Sequence, residues 1–262
     1  MNEQACEEQF PDFKSRILQP KQDFFLKRQP YIYQDISEHI SSRLSQESFS
    51  NPDIQEQVNL TLEPDSIKTL TEGTLKLINT VLSQDKAGEP FDTLLFLDKS
   101  ARNGAFMFRL LFNELKTNNK LPRRIKLPKI RFINIGMGDN QEKFTDQKAI
   151  ALIRHIYNPK DFDQKTIGIV DEYSQTGNSI DMASKIIQKN FKPVIYKLNQ
   201  FDDEVPWYGY SESGTSGILD SNSSERQFIA KPIQTPEQKD NFNSYRSVLK
   251  SIVLDFAKHL QI

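Results

Sequence analysis

Apolar positions along the chain keep two different rhythms. From about residue 65, Ile67, Leu70, Leu77, Ile78 and Val81 recur at helical spacing, with Asp65 or Ser66 available as a cap. Gly88 and Pro90 end that helix. The rhythm then changes to a short apolar run, residues 93–97, which reads as a buried strand. A helix over about 105–116 follows, bearing Phe106, Phe108, Leu110, Leu111 and Leu115. Further strands are expected at 130–135, 166–170 and 193–198, with a helix from the 178–179 region to about Lys189. Residues 137–164 form a long polar insertion with a helix expected around 146–155.

Strands alternating with helices require crossover connections. The expected fold is therefore α/β, a mainly parallel sheet with helices on both faces. Near the end, Pro236 suits a first helical turn, and Phe242, Tyr245, Leu249, Ile252, Phe256 and Leu260 line one face of the helix it opens. Such a stripe is a docking face. Residues 1–64 are polar and irregular, with scattered aromatics such as Phe10, Phe13, Phe24 and Tyr31, and one short helix expected near 36–44. The division is thus an N-terminal arm, 1–64, and an α/β domain with a C-terminal helix, 65–262.

Composition narrows the function classes. The 262 residues carry a formal net charge of −1 with acids and bases mixed, which disfavours nucleic acid as a partner. The single cysteine, Cys6, can form no intramolecular disulfide, and His39, His155 and His259 lack metal-ligand spacing. No apolar run approaches the roughly 20 residues that span a bilayer, and the first residues do not resemble a secretory signal. A cytoplasmic protein without a membrane partner is expected. A homodimer stays open.

Parallel sheets bind ligands beyond the carboxyl ends of their strands, so the loops there come first. After the strand at 166–170 come Asp171, Glu172, Tyr173, Ser174, Gln175, Thr176, Gly177, Asn178 and Ser179, then a helix. Amides in such a turn, with the helix dipole behind them, make an anion cradle. The hydroxyls of Ser174, Thr176 and Ser179 add donors without bulk, and Gly177 permits close backbone approach. Two adjacent carboxylates can accept from the two hydroxyls of a ribose. A phosphate nest beside a diol acceptor suits a 5-phosphoribosyl group. The competing account is an ordinary strand–turn–helix in which Asp and Ser merely cap.

This segment resembles the signature of the type I phosphoribosyltransferases: apolar strand, two acids, a short variable stretch, then Thr-Gly-x-Ser/Thr. The resemblance spans about residues 66–200. It implies that Asp171 and Glu172 hold the ribose hydroxyls of phosphoribosyl pyrophosphate, while Ser174, Gln175, Thr176, Gly177, Asn178 and Ser179 wrap the 5′-phosphate. It also implies a pyrophosphate loop after the first sheet strand, here Asp98, Lys99, Ser100, Ala101 and Arg102, with Asn103 and Gly104 opening the helix. Lys99 and Arg102 would neutralise the leaving group. Together with Asp171 and Glu172 they are the expected catalytic residues. Mg²⁺ would bridge pyrophosphate oxygens and ribose hydroxyls, so that Asp171 and Glu172 meet the ion only indirectly.

By the same resemblance the insertion at 137–164 stands where the family carries a mobile lid. Trp207, Tyr208 and Tyr210 stand where it carries a base-binding hood. Purine-salvage members have an aspartate at the position of Gln175, so hypoxanthine and guanine are disfavoured as acceptors. The implied ligand is phosphoribosyl pyrophosphate or a nucleoside 5′-phosphate. The implied activity is transfer of the phosphoribosyl group to a nitrogen nucleophile with pyrophosphate release. The alternative is a non-catalytic phosphoribosyl- or nucleotide-binding regulatory module.

Overall fold

The structure is a computed structural model that describes residues 16–17, 42, 64–97, 101–133, 158–171, 178–199 and 236–260. Among the described residues five strands, β1 (Arg16–Ile17), β2 (Thr93–Leu97), β3 (Lys129–Ile133), β4 (Thr166–Asp171) and β5 (Val194–Asn199), form one sheet in the order β1-β5-β4-β2-β3. Every pairing is parallel. The helices are α1 (Pro64–Lys86), α2 (Arg102–Thr117), α3 (Asn178–Phe191) and α4 (Pro236–His259). The parallel α/β architecture expected from the alternating rhythms is the one observed.

Strand alternation sends two sets of side chains to two cores. Leu94, Phe96, Val170, Tyr196 and Leu198 join α1, α2 and α4 on one face. Leu95, Leu97, Ile133, Ile167, Ile169 and Ile195 meet Ile180, Ala183, Ile187 and Phe191 of α3 on the other. The division follows from crossover handedness. The β2–α2–β3 unit steps one way across the sheet and β4–α3–β5 steps the other way. With both crossovers right-handed, their helices must lie on opposite faces.

Element boundaries shift where local chemistry is stronger than the sequence cues. Helix α1 starts at Pro64, so Asp65 and Ser66 lie inside its first turn rather than ahead of it. Its end is as expected: Gly88 takes φ +83, and the amides of Gly88 and Glu89 return to Asp85 O and Gln84 O. Helix α2 begins at Arg102, not after Gly104. The Ala101 amide already turns back to Leu97 O, and the Ala105 amide bonds Ala101 O. Gly104 is therefore inside the first turn, buried beside Gly73 of α1.

Gly168, an odd residue for a strand centre, has a packing cause. A Cβ there would lie 2.8 Å from Leu198 Cδ1, 2.8 Å from Leu94 Cδ2 and 3.2 Å from Phe91 Cε1. Leucines on both flanking strands have closed over the space a side chain would need.

The C-terminal helix docks through four residues of the expected stripe; the side chains of Phe242 and Tyr245 lie outside the described ones. Leu249, Ile252, Phe256 and Leu260 are buried, joined by Val248, Val253 and Ala257. Lys120, just beyond α2, donates to Ala257 O at 3.0 Å and Leu260 O at 2.7 Å, satisfying carbonyls that the end of α4 leaves open. At the amino edge of the sheet, Asp161 in a single 3₁₀ turn (Pro159–Asp161) accepts from Lys129 and Arg131 of β3. The Thr93 hydroxyl bonds Asp161 O at 3.0 Å. The expected helices near 36–44 and 146–155 lie outside the described residues, except for Ser42, which is helical.

Candidate functional site

Strands β2 and β4 are neighbours, with Phe96 directly paired to Val170. From β2 the chain moves toward β3 at one edge; from β4 it moves toward β5 on the other side. The sheet thus has its topological switch point between these two strands. At such a point the outgoing segments part to opposite faces and leave a crevice beyond the carboxyl ends. Leu97 and Asp171 are the last residues of the two strands.

Asp171 is part of β4 itself, paired with Asn199 of β5, and only 5% exposed. Alternation with Ile167 and Ile169 puts it on the α3 face of the sheet. Ala101 is buried at the foot of α2, on the opposite face. Arg102 is the first residue of α2, while Asn178 and Ser179 are the first two of α3. Asp98, Lys99, Ser100, Glu172, Ser174, Gln175, Thr176 and Gly177 lie outside the described residues, as do Trp207, Tyr208 and Tyr210.

Two further charged residues stand at this edge. Lys197 of β5 is opposite Ile169, and its Nζ is 2.5 Å from Asp181 Oδ1 in the first turn of α3. A signal for it stands in the sequence: Lys197 is the one charged residue in the run Val194, Ile195, Tyr196, Lys197, Leu198. A charge in a strand that enters a core needs a partner, and the facing helix supplies one.

Beneath the switch point, on the α1–α2 side, Gly73, Phe96, Ala101, Gly104 and Val170 border a cavity of about 10 Å³. That volume is at most one water, and its walls are apolar, so it offers no room for a substrate. Among the described residues no three His, Cys, Asp or Glu side chains come together to hold a metal. No helix among them is long and apolar enough to cross a membrane.

No family model, curated protein or solved structure matches this chain.

Proposed function

We propose that the carboxyl edge between β2 and β4 binds phosphoribosyl pyrophosphate in the manner of a type I phosphoribosyltransferase. The proposed reaction transfers the phosphoribosyl group to a nitrogen nucleophile. The observation that carries this reading is the adjacency of β2 and β4 at the switch point. The two segments with usable chemistry, 98–102 and 171–179, begin at the ends of those two strands. Strands ending at opposite edges, or separated by a third strand, would have removed the basis for a shared site.

In this reading the nucleophile's lone pair forms a bond to C1 of the ribose as the bond from C1 to pyrophosphate oxygen breaks. The electron pair leaves with pyrophosphate, and the nitrogen gives up its proton to solvent. Asp171 and Glu172 orient the ribose through its hydroxyls. Amides and hydroxyls of residues 174–179, with the start of α3, hold the 5′-phosphate. Lys99 and Arg102 meet charge that grows on the leaving group, where electrostatic stabilisation is most effective. Mg²⁺, met only indirectly by Asp171 and Glu172, would neutralise charge on the pyrophosphate.

The test is calorimetric titration of the full chain with phosphoribosyl pyrophosphate and Mg²⁺, then a nucleobase panel read by pyrophosphate release. Saturable binding with release by at least one base supports the transferase. Binding without release by any base favours the regulatory module. No binding removes both.

A further inference from the structure

The amino edge of the sheet, opposite the proposed ligand site, carries a run of positive charge. Between Glu114 and Asp139 the sequence holds seven lysines and arginines and no acid. Four of the seven are engaged by the fold: Lys116 donates to Ile125 O, Lys120 to the last carbonyls of α4, and Lys129 and Arg131 to Asp161. The other three, Arg123, Arg124 and Lys126, are exposed in the turn that leads into β3. Arg124 reaches Asp85 at 3.4 Å yet stays 72% exposed, so water still solvates most of its charge. The turn itself is fixed: Leu121 and Ile125 are buried, the Ile125 amide bonds Pro122 O at 3.0 Å, and Lys116 holds Ile125 O from α2. Cations already held in place lose little freedom when a carboxylate docks, and arginine can take one bidentately.

The topology brings an acidic segment of the same chain to this edge. Strand β1 pairs with β5 in parallel, so the chain enters β1 from the amino side of the sheet. Residues 1–13, just ahead of it, contain Glu3, Glu7, Glu8 and Asp12 and no lysine or arginine. Four strand spacings separate β1 from β3, and Arg16 is level with Tyr196, the third residue of β5, so the path from Arg16 to the basic turn is roughly 26 Å. At roughly 3.6 Å per extended residue, Asp12 reaches only about 14 Å from Arg16, whereas Glu8 reaches about 29 Å and Glu7 about 32 Å. We infer that Arg123, Arg124 and Lys126 form a docking surface for the acidic segment around Glu7 and Glu8, which fastens the start of the arm across the amino edge of the sheet. The inference concerns the edge opposite the proposed ligand site and does not rest on the phosphoribosyl reading.

Cys6, the single cysteine of the chain, stands beside Glu7 and gives a handle for the test. A nitroxide attached there in the isotopically labelled full chain attenuates the amide signals of whatever it approaches. The amides of 121–127 are expected to lose most of their intensity at low salt and to regain it near 0.5 M salt, as exposed charges are screened. R123Q/R124Q/K126Q and E7Q/E8Q are each expected to restore those signals at low salt. D12N, too close to β1 to reach the turn, is expected to change nothing. A mixture of spin-labelled chain at natural isotopic abundance with isotopically labelled C6S chain is expected to show no attenuation, because the contact lies within one chain.

Full intensity at 121–127 in the spin-labelled wild type overturns the inference. It does so even where those signals shift on adding oligoglutamate or RNA, which would assign the turn to a separate partner. Attenuation that survives both high salt and loss of the three cations overturns it as well, since the contact would then not be electrostatic. Attenuation in the mixed sample assigns the surface to a second copy of the chain and overturns the intrachain contact. If R123Q/R124Q/K126Q does not fold, E7Q/E8Q decides, because both of its substitutions lie ahead of β1: attenuation equal to that of wild type overturns the inference.

Discussion

Phe96 of β2 and Val170 of β4 are direct partners in neighbouring parallel strands, and one residue beyond each its strand ends. Both side chains join the α1–α2–α4 core, while Leu97 and Ile169 turn to the α3 side. Opposed crossovers from two adjacent strands therefore diverge around a common edge. The cavity beside Phe96 and Val170, among the described residues, holds only about 10 Å³, too little for a ligand.

Gly168 is required by its neighbours more than by its backbone. Gly168→Ala is expected to cost about 1–3 kcal/mol, the usual range for overpacking, because its Cβ would meet two buried leucine methyls at 2.8 Å. Urea unfolding of the single variant and of Gly168→Ala with Leu94→Ala checks this. The double should cost clearly less than the sum of the two singles, since the truncated leucine makes room for the new methyl. Strict additivity would mean the contact is not the cause.

The layers were legible in the sequence because the two rhythms are strong where burial is deep. The run at 93–97 became β2 with those bounds, and the stripe on α4 became its docking face. Boundaries were harder. Asp171 reads as the first loop residue, yet pairing with Asn199 carries β4 one residue further. Arg102 and Gly104 read as loop, yet close approach between α1 and α2 favours a helix that starts early with small residues inside. The Lys197–Asp181 pair was legible only as an isolated charge in a strand, because its partner is set by which helix covers which face.

Asp161 ties the segment before β4 to the edge strand β3. A hydrogen bond from Lys129 is the main cause holding its carboxyl below the ordinary carboxylate range; burial opposes, and Arg131 adds to the lowering. A depressed folded value means stability present above the unfolded pKa and lost as pH falls through the folded one. Asp161→Asn should therefore cost about 1–2 kcal/mol at pH 7, less than a fully buried pair, because Lys129 and Arg131 are partly exposed. That deficit should shrink as the pH drops below the ordinary value of 3.8. Denaturant midpoints of both proteins between pH 2 and pH 7 supply the measurement. A deficit constant over that range would rule out the ionised carboxylate as the source.

The helix C-terminus of α4 depends on a side chain from another element. Lys120→Met leaves Ala257 O and Leu260 O without that donor and should cost about 1 kcal/mol, near the usual worth of such bonds. Hydrogen exchange should show the last turn of α4 opening more readily, while β2 and β4 keep their protection. Equal loss across the sheet would indicate that Lys120 supports the whole fold instead.

The proposed phosphate cradle makes a local claim. Thr176→Val removes a hydroxyl donor, and Gly177→Val blocks close backbone approach, so each should weaken ribose 5-phosphate binding about tenfold. Both substitutions fall beyond the end of β4 and before α3, so melting temperatures should stay close to wild type. Calorimetry of the two variants checks affinity, and unchanged binding in both would sink the cradle.

Leaving-group chemistry separates a transferase from a binding module. Pyrophosphate gains charge as its bond to the ribose breaks, so cations facing it matter more in the transition state than in the ground state. Lys99→Ala and Arg102→Ala are each expected to lower kcat about 10²-fold while changing the affinity for phosphoribosyl pyrophosphate only severalfold. Under the proposed function, Asp171→Asn combined with Glu172→Gln should abolish turnover, because that reading has the pair orient the ribose, yet part of the phosphate binding should survive on the amides proposed for 174–179. With Gln175 unable to accept a proton, hypoxanthine and guanine should be poor acceptors; rapid pyrophosphate release with either would overturn that expectation. A module would show affinity losses in the same variants and no release from wild type with any base. Single-turnover measurement of pyrophosphate release, run beside calorimetry on the same preparations, distinguishes the two: a transferase loses rate far more than affinity when Lys99 or Arg102 is truncated.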